Sequence, residues 1–185
     1  TPISLVQTAS YFPEKVVDRS FFKNGTPEDD NPLFRGAHLR HHVHASEKAS
    51  EMIGRASQSL ENQLNINLKK DVDILLTNVT VPDIPFTGCG ADVARILGCR
   101  PEWIIDVHNG GCVAFVSMIK LARSLMNEGK ARTALLCMVQ NAAGRIFAHP
   151  GVRNRAQSAI PGDGCGVGYF VANAESPIKS VVVRC

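Results

Sequence analysis

The chain has 185 residues, 44% of them hydrophobic and 20% charged, enough for one domain with a sizeable core, and this excludes a disordered or low-complexity chain. A formal net charge of only +3, no long basic run and 6% aromatic residues leave neither an electrostatic footprint for nucleic acid nor a stacking platform for bases. No apolar run approaches the roughly 18 residues that cross a bilayer, and Thr1 to Val6 lacks the pattern of a secretory signal, so a cytoplasmic protein without membrane contact is expected.

Residues 3–9 read as a first strand, followed by a turn at Tyr11 to Val16. Residues 18–45 are punctuated by Asn24-Gly25, Thr26-Pro27 and Asn31-Pro32 and are expected to be irregular. Over 46–64 the spacing of Ala49, Met52, Ile53, Ala56, Leu60 and Leu64 predicts a helix, with Ser46 as its N-cap. Residues 72–76 form a short apolar run of the kind buried on both faces of a sheet. Residues 87–97 predict a second helix stopped by Gly98, and 103–107 another buried strand. Asn109-Gly110-Gly111 is a sharp turn. A third helix starts at Cys112, with Phe115, Met118, Ile119, Ala122, Leu125 and Met126 on its inner face and Gly129 as its stop. Residues 134–139 are a fourth strand, 140–160 a long loop, and 167–172 with 181–183 a closing pair of strands, as a hairpin. Strands alternating with helices argue for an α/β fold, a mixed and mostly parallel sheet with helices on both faces.

The six cysteines are Cys89, Cys99, Cys112, Cys137, Cys165 and Cys185. None forms a C-x-x-C pair, which argues against a zinc finger or ribbon, and those inside apolar runs read as buried, reduced thiols. Cys112 differs. It follows a strand and a Gly-Gly turn and opens an amphipathic helix. The glycines permit close approach of a ligand, and the positive end of a helix favours a thiolate, the form that attacks a thioester carbonyl. The alternative is a structural cysteine that merely follows a turn. His38, His41, His42 and His44 cluster locally but lie in an irregular segment without a carboxylate or cysteine partner, so no metal site is assigned.

The segment Asp106-Val107-His108-Asn109-Gly110-Gly111-Cys112-Val113-Ala114-Phe115 resembles the active-site region of the beta-ketoacyl-acyl carrier protein synthase III family, of the thiolase-like superfamily. Further segments match in order: Tyr11 to Val16, an early Pro-Glu turn; Arg35-Gly36-Ala37 to His42-Val43; Pro85-Phe86 to Gly98; and Gly162-Asp163-Gly164-Cys165-Gly166. The resemblance spans essentially the whole chain as the N-terminal half of that fold, one thiolase-like domain over 1–185. It implies an acyltransferase of the 3-oxoacyl synthase type. Cys112 would take an acyl group from acyl-CoA, and the acyl-enzyme would condense with the carbanion released by decarboxylation of a malonyl thioester on acyl carrier protein. No cofactor is implied, and a homodimer is. Residue by residue, Arg35 and Arg155 match the arginines that contact the CoA nucleotide. Phe86 matches the residue that reaches across the dimer interface to the partner's acyl pocket. For the arginines the alternative is a solvated surface side chain, and for Phe86 an ordinary core aromatic.

The family also uses a His and an Asn from its C-terminal half, and no residue here matches them, so this chain alone is expected not to condense. His108 matches no base of the family and reads as a strand-end residue. Asn31 stands where a CoA-stacking Trp is common, Asn109-Gly110-Gly111 replaces an Ala-rich run, and Pro161 replaces an aromatic. These departures keep open a secondary-metabolite acyltransferase or polyketide-priming relative. A noncatalytic docking partner of the same fold is a further alternative. A Cys-dependent hydrolase fits poorly, because Gly-Gly-Cys-Val-Ala is not a nucleophile elbow. Gly162 to Gly166 lacks the Lys-Ser/Thr of a phosphate loop and reads as a structural turn.

Overall fold

The computed structural model describes residues 1–23, 32, 38–84 and 86–182. Arg35, Asn31, Gly36, Ala37, Pro85, Val183 and Cys185 lie outside the described residues. Two compact units form. The first comprises 1–11, 48–139 and 165–185, and the second 12–47 and 140–164.

The first unit is built on a five-stranded sheet of β1 (Ser4–Tyr11), β4 (Ile74–Val79), β5 (Trp103–Asp106), β6 (Thr133–Gln140) and β7 (Gly164–Val171), in the order β1-β7-β6-β4-β5. β4 runs parallel to both β5 and β6, and β1 antiparallel to β7. The apolar run at Ile74, Leu75 and Leu76 is fully buried, as expected of a strand covered on both faces. Its coverage follows from the connections. α2 (Gly90–Leu97) carries the chain from β4 to β5, and α3 (Ala114–Glu128) carries it back across β4 to β6. Right-handed crossovers in opposite directions put their helices on opposite faces. α3 buries Met118, Ala122 and Met126 against Ile74, Leu76, Leu136 and Phe170. By strand alternation Leu75 and Leu135 face the other way, the side on which α1 (Ala49–Leu64) and α2 pack together.

The helices carry the expected faces with adjusted ends. α1 buries Met52, Ile53, Ala56 and Leu60 completely and ends at Asn65, whose φ of +52° turns the chain left-handed. Ser46 is not its cap. The helix begins at Ala49, where Glu51 Oε2 accepts the Lys48 amide and Asp83 Oδ2 the Ala49 amide, both at 2.9 Å, while the Ser46 hydroxyl bonds His44 Nδ1. Two strand expectations are corrected. β5 is the edge of the sheet, so Trp103 and Ile104 are 42% and 41% exposed rather than buried. β7 finds its antiparallel partner in β1, a strand more than 150 residues away in sequence, so it forms no hairpin with 181–182.

The second unit contains order that the sequence does not announce. β2 (Val16–Asp18) pairs antiparallel with β3 (Leu39–His41), a pairing too short for a period to show. The loop after β6 contains a π-helical turn at Ala143–Phe147 and a 3₁₀ turn at Ala156–Ala159. Val17, Phe22 and Ala159 form its small buried cluster. Asp163, 3% exposed, holds the unit together: Oδ2 accepts the amides of Val43 and Gly144 at 2.8 and 2.6 Å, and Oδ1 that of Ala143 at 2.9 Å. The Gly-Asp-Gly motif is therefore structural, as read, but it is not a turn: Asp163 ties the loops and Gly164 to Gly166 already belong to β7.

Candidate active site

The carboxyl ends of parallel strands are where α/β sheets place their chemistry. β5 ends at Asp106, and the chain reaches Cys112 through Asn109-Gly110-Gly111. Asn109 and Gly111 have φ of +56° and +51°, so two of three consecutive turn residues are left-handed. Gly111 suits that conformation because it has no β-carbon. Gly110 is required for another reason: a β-carbon there would lie 2.6 Å from that of Ala114, so the turn could not close onto the start of α3. Cys112 sits in a 3₁₀ turn, Gly111–Val113, that runs directly into α3.

Exposure separates Cys112 from the other thiols. Among the five described cysteines, all free, Cys112 is exposed and Cys89, Cys99, Cys137 and Cys165 are buried. Burial pushes the Cys89 thiol up to about 12, raises that of Cys99, and raises those of Cys137 and Cys165 further. Those four are packing residues. Cys112 Sγ has no hydrogen-bond partner among the described residues, and His108, in the same turn, is exposed.

The remaining sequence candidates fall in different places. Phe86 lies in the first unit, in the segment between β4 and α2; its side chain is fully exposed and its φ is +67°. It is not a core aromatic. Arg155 lies in the second unit, exposed, immediately ahead of the 3₁₀ turn Ala156–Ala159. Arg35 is outside the described residues. The histidines are engaged separately: His41 Nδ1 meets the Pro13 carbonyl at 2.7 Å, His44 bonds Ser46, and His42 is fully buried against the Phe21 and Phe22 rings.

Pattern reading gives no role to Thr77 or Asn78, nor to the carboxylate of Asp106 beyond its place in the matched segment, and the three meet at the carboxyl ends of β4 and β5. Asp106 Oδ1 accepts the Thr77 hydroxyl and the amides of Cys89 and Gly90, the latter two at 2.9 Å. Asn78 Nδ2 donates to the Val107 carbonyl at 2.7 Å. The signal was a Thr-Asn pair just ahead of the last residue of an otherwise apolar strand.

Together these features define an α/β unit of thiolase-like fold with an exposed cysteine on the turn that leaves a parallel strand. No family model matches the chain. It is 28% identical over 148 residues to the beta-ketoacyl-[acyl-carrier-protein] synthase III of Clostridium perfringens, over 78% of this chain and 43% of that protein. The protein of the same name from Ehrlichia canis is 26% identical over 168 residues, or 90% of this chain and 51% of that one. The solved structure of 3-oxoacyl-(acyl-carrier protein) synthase from Burkholderia xenovorans superposes with a TM-score of 0.78 at 18% identity, over 95% of this chain and 50% of that one. The resemblance to beta-ketoacyl-acyl carrier protein synthase III read from the sequence therefore holds, and the thiolase-like α/β fold it implied is the fold observed. The chain spans about half the length of the curated relatives it matches.

Proposed function

We propose that the chain is the nucleophile-bearing half of a beta-ketoacyl-acyl carrier protein synthase III-like condensing enzyme and that Cys112 is its acyl acceptor. The observation that carries this reading is the exposure of Cys112 on a strand-to-helix turn while the other described cysteines are buried. In the proposed first step the Cys112 thiolate attacks the carbonyl of an acyl-CoA. A carbon–sulfur bond forms to Cys112, the bond to CoA sulfur breaks, and CoA leaves as its thiolate. The Cys112 backbone N–H is proposed to donate to the oxyanion of the tetrahedral intermediate. In the second step a malonyl thioester on acyl carrier protein loses CO2. Its carbanion attacks the acyl-Cys112 carbonyl, releasing a 3-oxoacyl thioester and regenerating the thiolate. Activation of the malonyl group is assigned to none of these 185 residues.

Arg155, exposed, and Arg35 are proposed to meet the phosphates of CoA, a role for which the planar guanidinium fork is suited. The protein is proposed to act in the cytoplasm as a homodimer. The open edge of the sheet at β5, with Trp103 and Ile104 exposed, and the fully exposed Phe86 support a partner on that side of the first unit. A charged residue on the edge, Ile104→Lys, should convert the complete protein to a monomer in light scattering.

The test of the catalytic reading is direct. The complete protein is mixed with a series of mass-tagged acyl-CoA donors and digested. Label on the Cys112 peptide, absent from Cys112→Ser, is the expected result. Label elsewhere, or none from any donor, overturns it.

A further inference from the structure

Val107 is, among the described residues, the last one before Cys112 whose backbone is hydrogen-bonded to another element. Its N–H donates to the Thr77 carbonyl at 2.8 Å, and its carbonyl accepts Asn78 Nδ2 at 2.7 Å. Everything from His108 to Gly111 hangs from that point. Thr77 lies directly opposite Asp106 in the parallel register, and its hydroxyl donates to Asp106 Oδ1. Thr77 and Asn78 are 1% and 7% exposed, and as consecutive strand residues they project to opposite faces of the sheet. The exit of β5 is thus held from both sides.

The same carboxylate oxygen reaches a third segment. It accepts the amides of Cys89 and Gly90 at the start of α2, just beyond Phe86. The fit is tight: a β-carbon on Gly88 would lie 1.8 Å from Asp106 Cγ, so no side chain is accommodated there. One oxygen with three donors, each to an ionised acceptor, is a stronger tie than the same number of neutral bonds spread along a loop.

We propose that Thr77, Asn78 and Asp106 are positioning residues that hold the Cys112 turn and the Phe86 segment to the end of β4 as one frame. The proposal deepens the reading of Cys112 as nucleophile and rests on it. The frame acts through Cys112, not on the substrate. Its loss displaces the thiol from the geometry in which it attacks, and a displacement of about 1 Å is enough to slow such a step by one to two orders of magnitude.

The test uses the complete protein in four forms: wild type, Thr77→Val, Thr77→Ser and Asn78→Leu. Acylation of Cys112 by a mass-tagged acyl-CoA should fall about tenfold in its maximal rate in Thr77→Val and Asn78→Leu, with half-saturation unchanged, and Thr77→Ser should restore it. Variants that keep the wild-type maximal rate overturn the proposal, as does failure of Thr77→Ser to restore it. If no donor acylates the wild type, the nucleophile reading has failed. The frame is then read by iodoacetamide, whose rate at Cys112 should change at least threefold in Thr77→Val and Asn78→Leu but not in Thr77→Ser, and equal rates overturn it. If the substitutions prevent folding, amide exchange in the wild type decides: Cys89, Gly90 and Val107 should be among the slowly exchanging amides, and rapid exchange at all three overturns the proposal.

Discussion

The carboxylate of Asp163 accepts the backbone N–H of Val43, 120 residues earlier in the chain, at 2.8 Å. The amides of Ala143 and Gly144 complete its shell. Three donors on one buried carboxylate are what a long irregular loop needs, because the loop has few ladder partners of its own and its buried amides must find an acceptor. Asp163→Ala leaves all three without one, and should cost about 3 kcal/mol or more of stability. Asp163→Asn keeps one accepting oxygen and should cost less. Urea melts of the two variants beside wild type measure the order. Equal, small losses would show that water replaces the carboxylate.

His42 carries the opposite problem in the same unit. It is fully buried, its ring stands edge-on to Phe21 and Phe22, and neither ring nitrogen has a hydrogen-bond partner among the described residues. Burial holds its pKa below the usual 6.5; Lys15 and Arg40 push the same way, and the Asp163 carboxylate partly opposes them. The folded state therefore keeps the imidazole neutral, while the unfolded chain takes up a proton below about pH 6.5. Stability should be complete above that pH and fall as the pH drops through it, by up to about 1.4 kcal/mol per unit until the folded-state pKa is reached. Denaturation at pH 7.5 and 5.5 measures the loss, and His42→Leu should flatten the difference. A wild-type profile that is flat over this range would contradict a neutral buried imidazole.

The cysteines give a second, independent chemical readout. Only a thiolate alkylates, and burial keeps Cys89, Cys137 and Cys165 protonated as well as inaccessible. Brief treatment of the native protein with iodoacetamide at pH 8 should modify Cys112 at least ~100-fold faster than those three. In urea the differences should collapse. Peptide mass spectrometry resolves the sites. Comparable native rates at Cys112 and Cys137 would mean that the sheet opens far more readily than its packing implies.

The parts of the molecule that were legible in the sequence are those in which one local pattern decides the outcome. The α3 face from Phe115 to Met126 was readable because a helix repeats its core contact every three or four residues. The turn that carries Cys112 was readable because Asn109-Gly110-Gly111 supplies the left-handed and side-chain-free positions a sharp strand-to-helix turn needs. What escaped depends on distant partners. β7 joins β1 rather than the adjacent chain, β5 lies at an edge because the chain after it crosses back over β4 to place β6 on the far side, and β2 meets β3 across a segment with no periodicity. Thr77 and Asn78 look like weak strand residues until Asp106 and Val107 arrive beside them. No local pattern carries that information, since a buried polar side chain is tolerated only by virtue of a partner chosen by the fold.

Phe86 turns the same reasoning into a last test. Its phenyl ring is fully exposed and its backbone is left-handed, so in an isolated chain it contributes exposed apolar surface and local strain. Phe86→Ala should change the stability of this chain by no more than about 0.5 kcal/mol. Phe170, fully buried beneath α3, sets the contrast: Phe170→Ala should cost about 3–5 kcal/mol. Phe86→Gly removes the left-handed penalty of about 1 kcal/mol and returns part of it as backbone entropy, so its net effect should be small and not destabilising. If Phe86 serves a partner, its cost must appear in assembly instead. In the complete protein Phe86→Ala should weaken dimerisation, measured by sedimentation at decreasing concentration, while melting at concentrations where the wild type is dissociated stays unchanged. A variant that melts early even when dissociated would return Phe86 to the core.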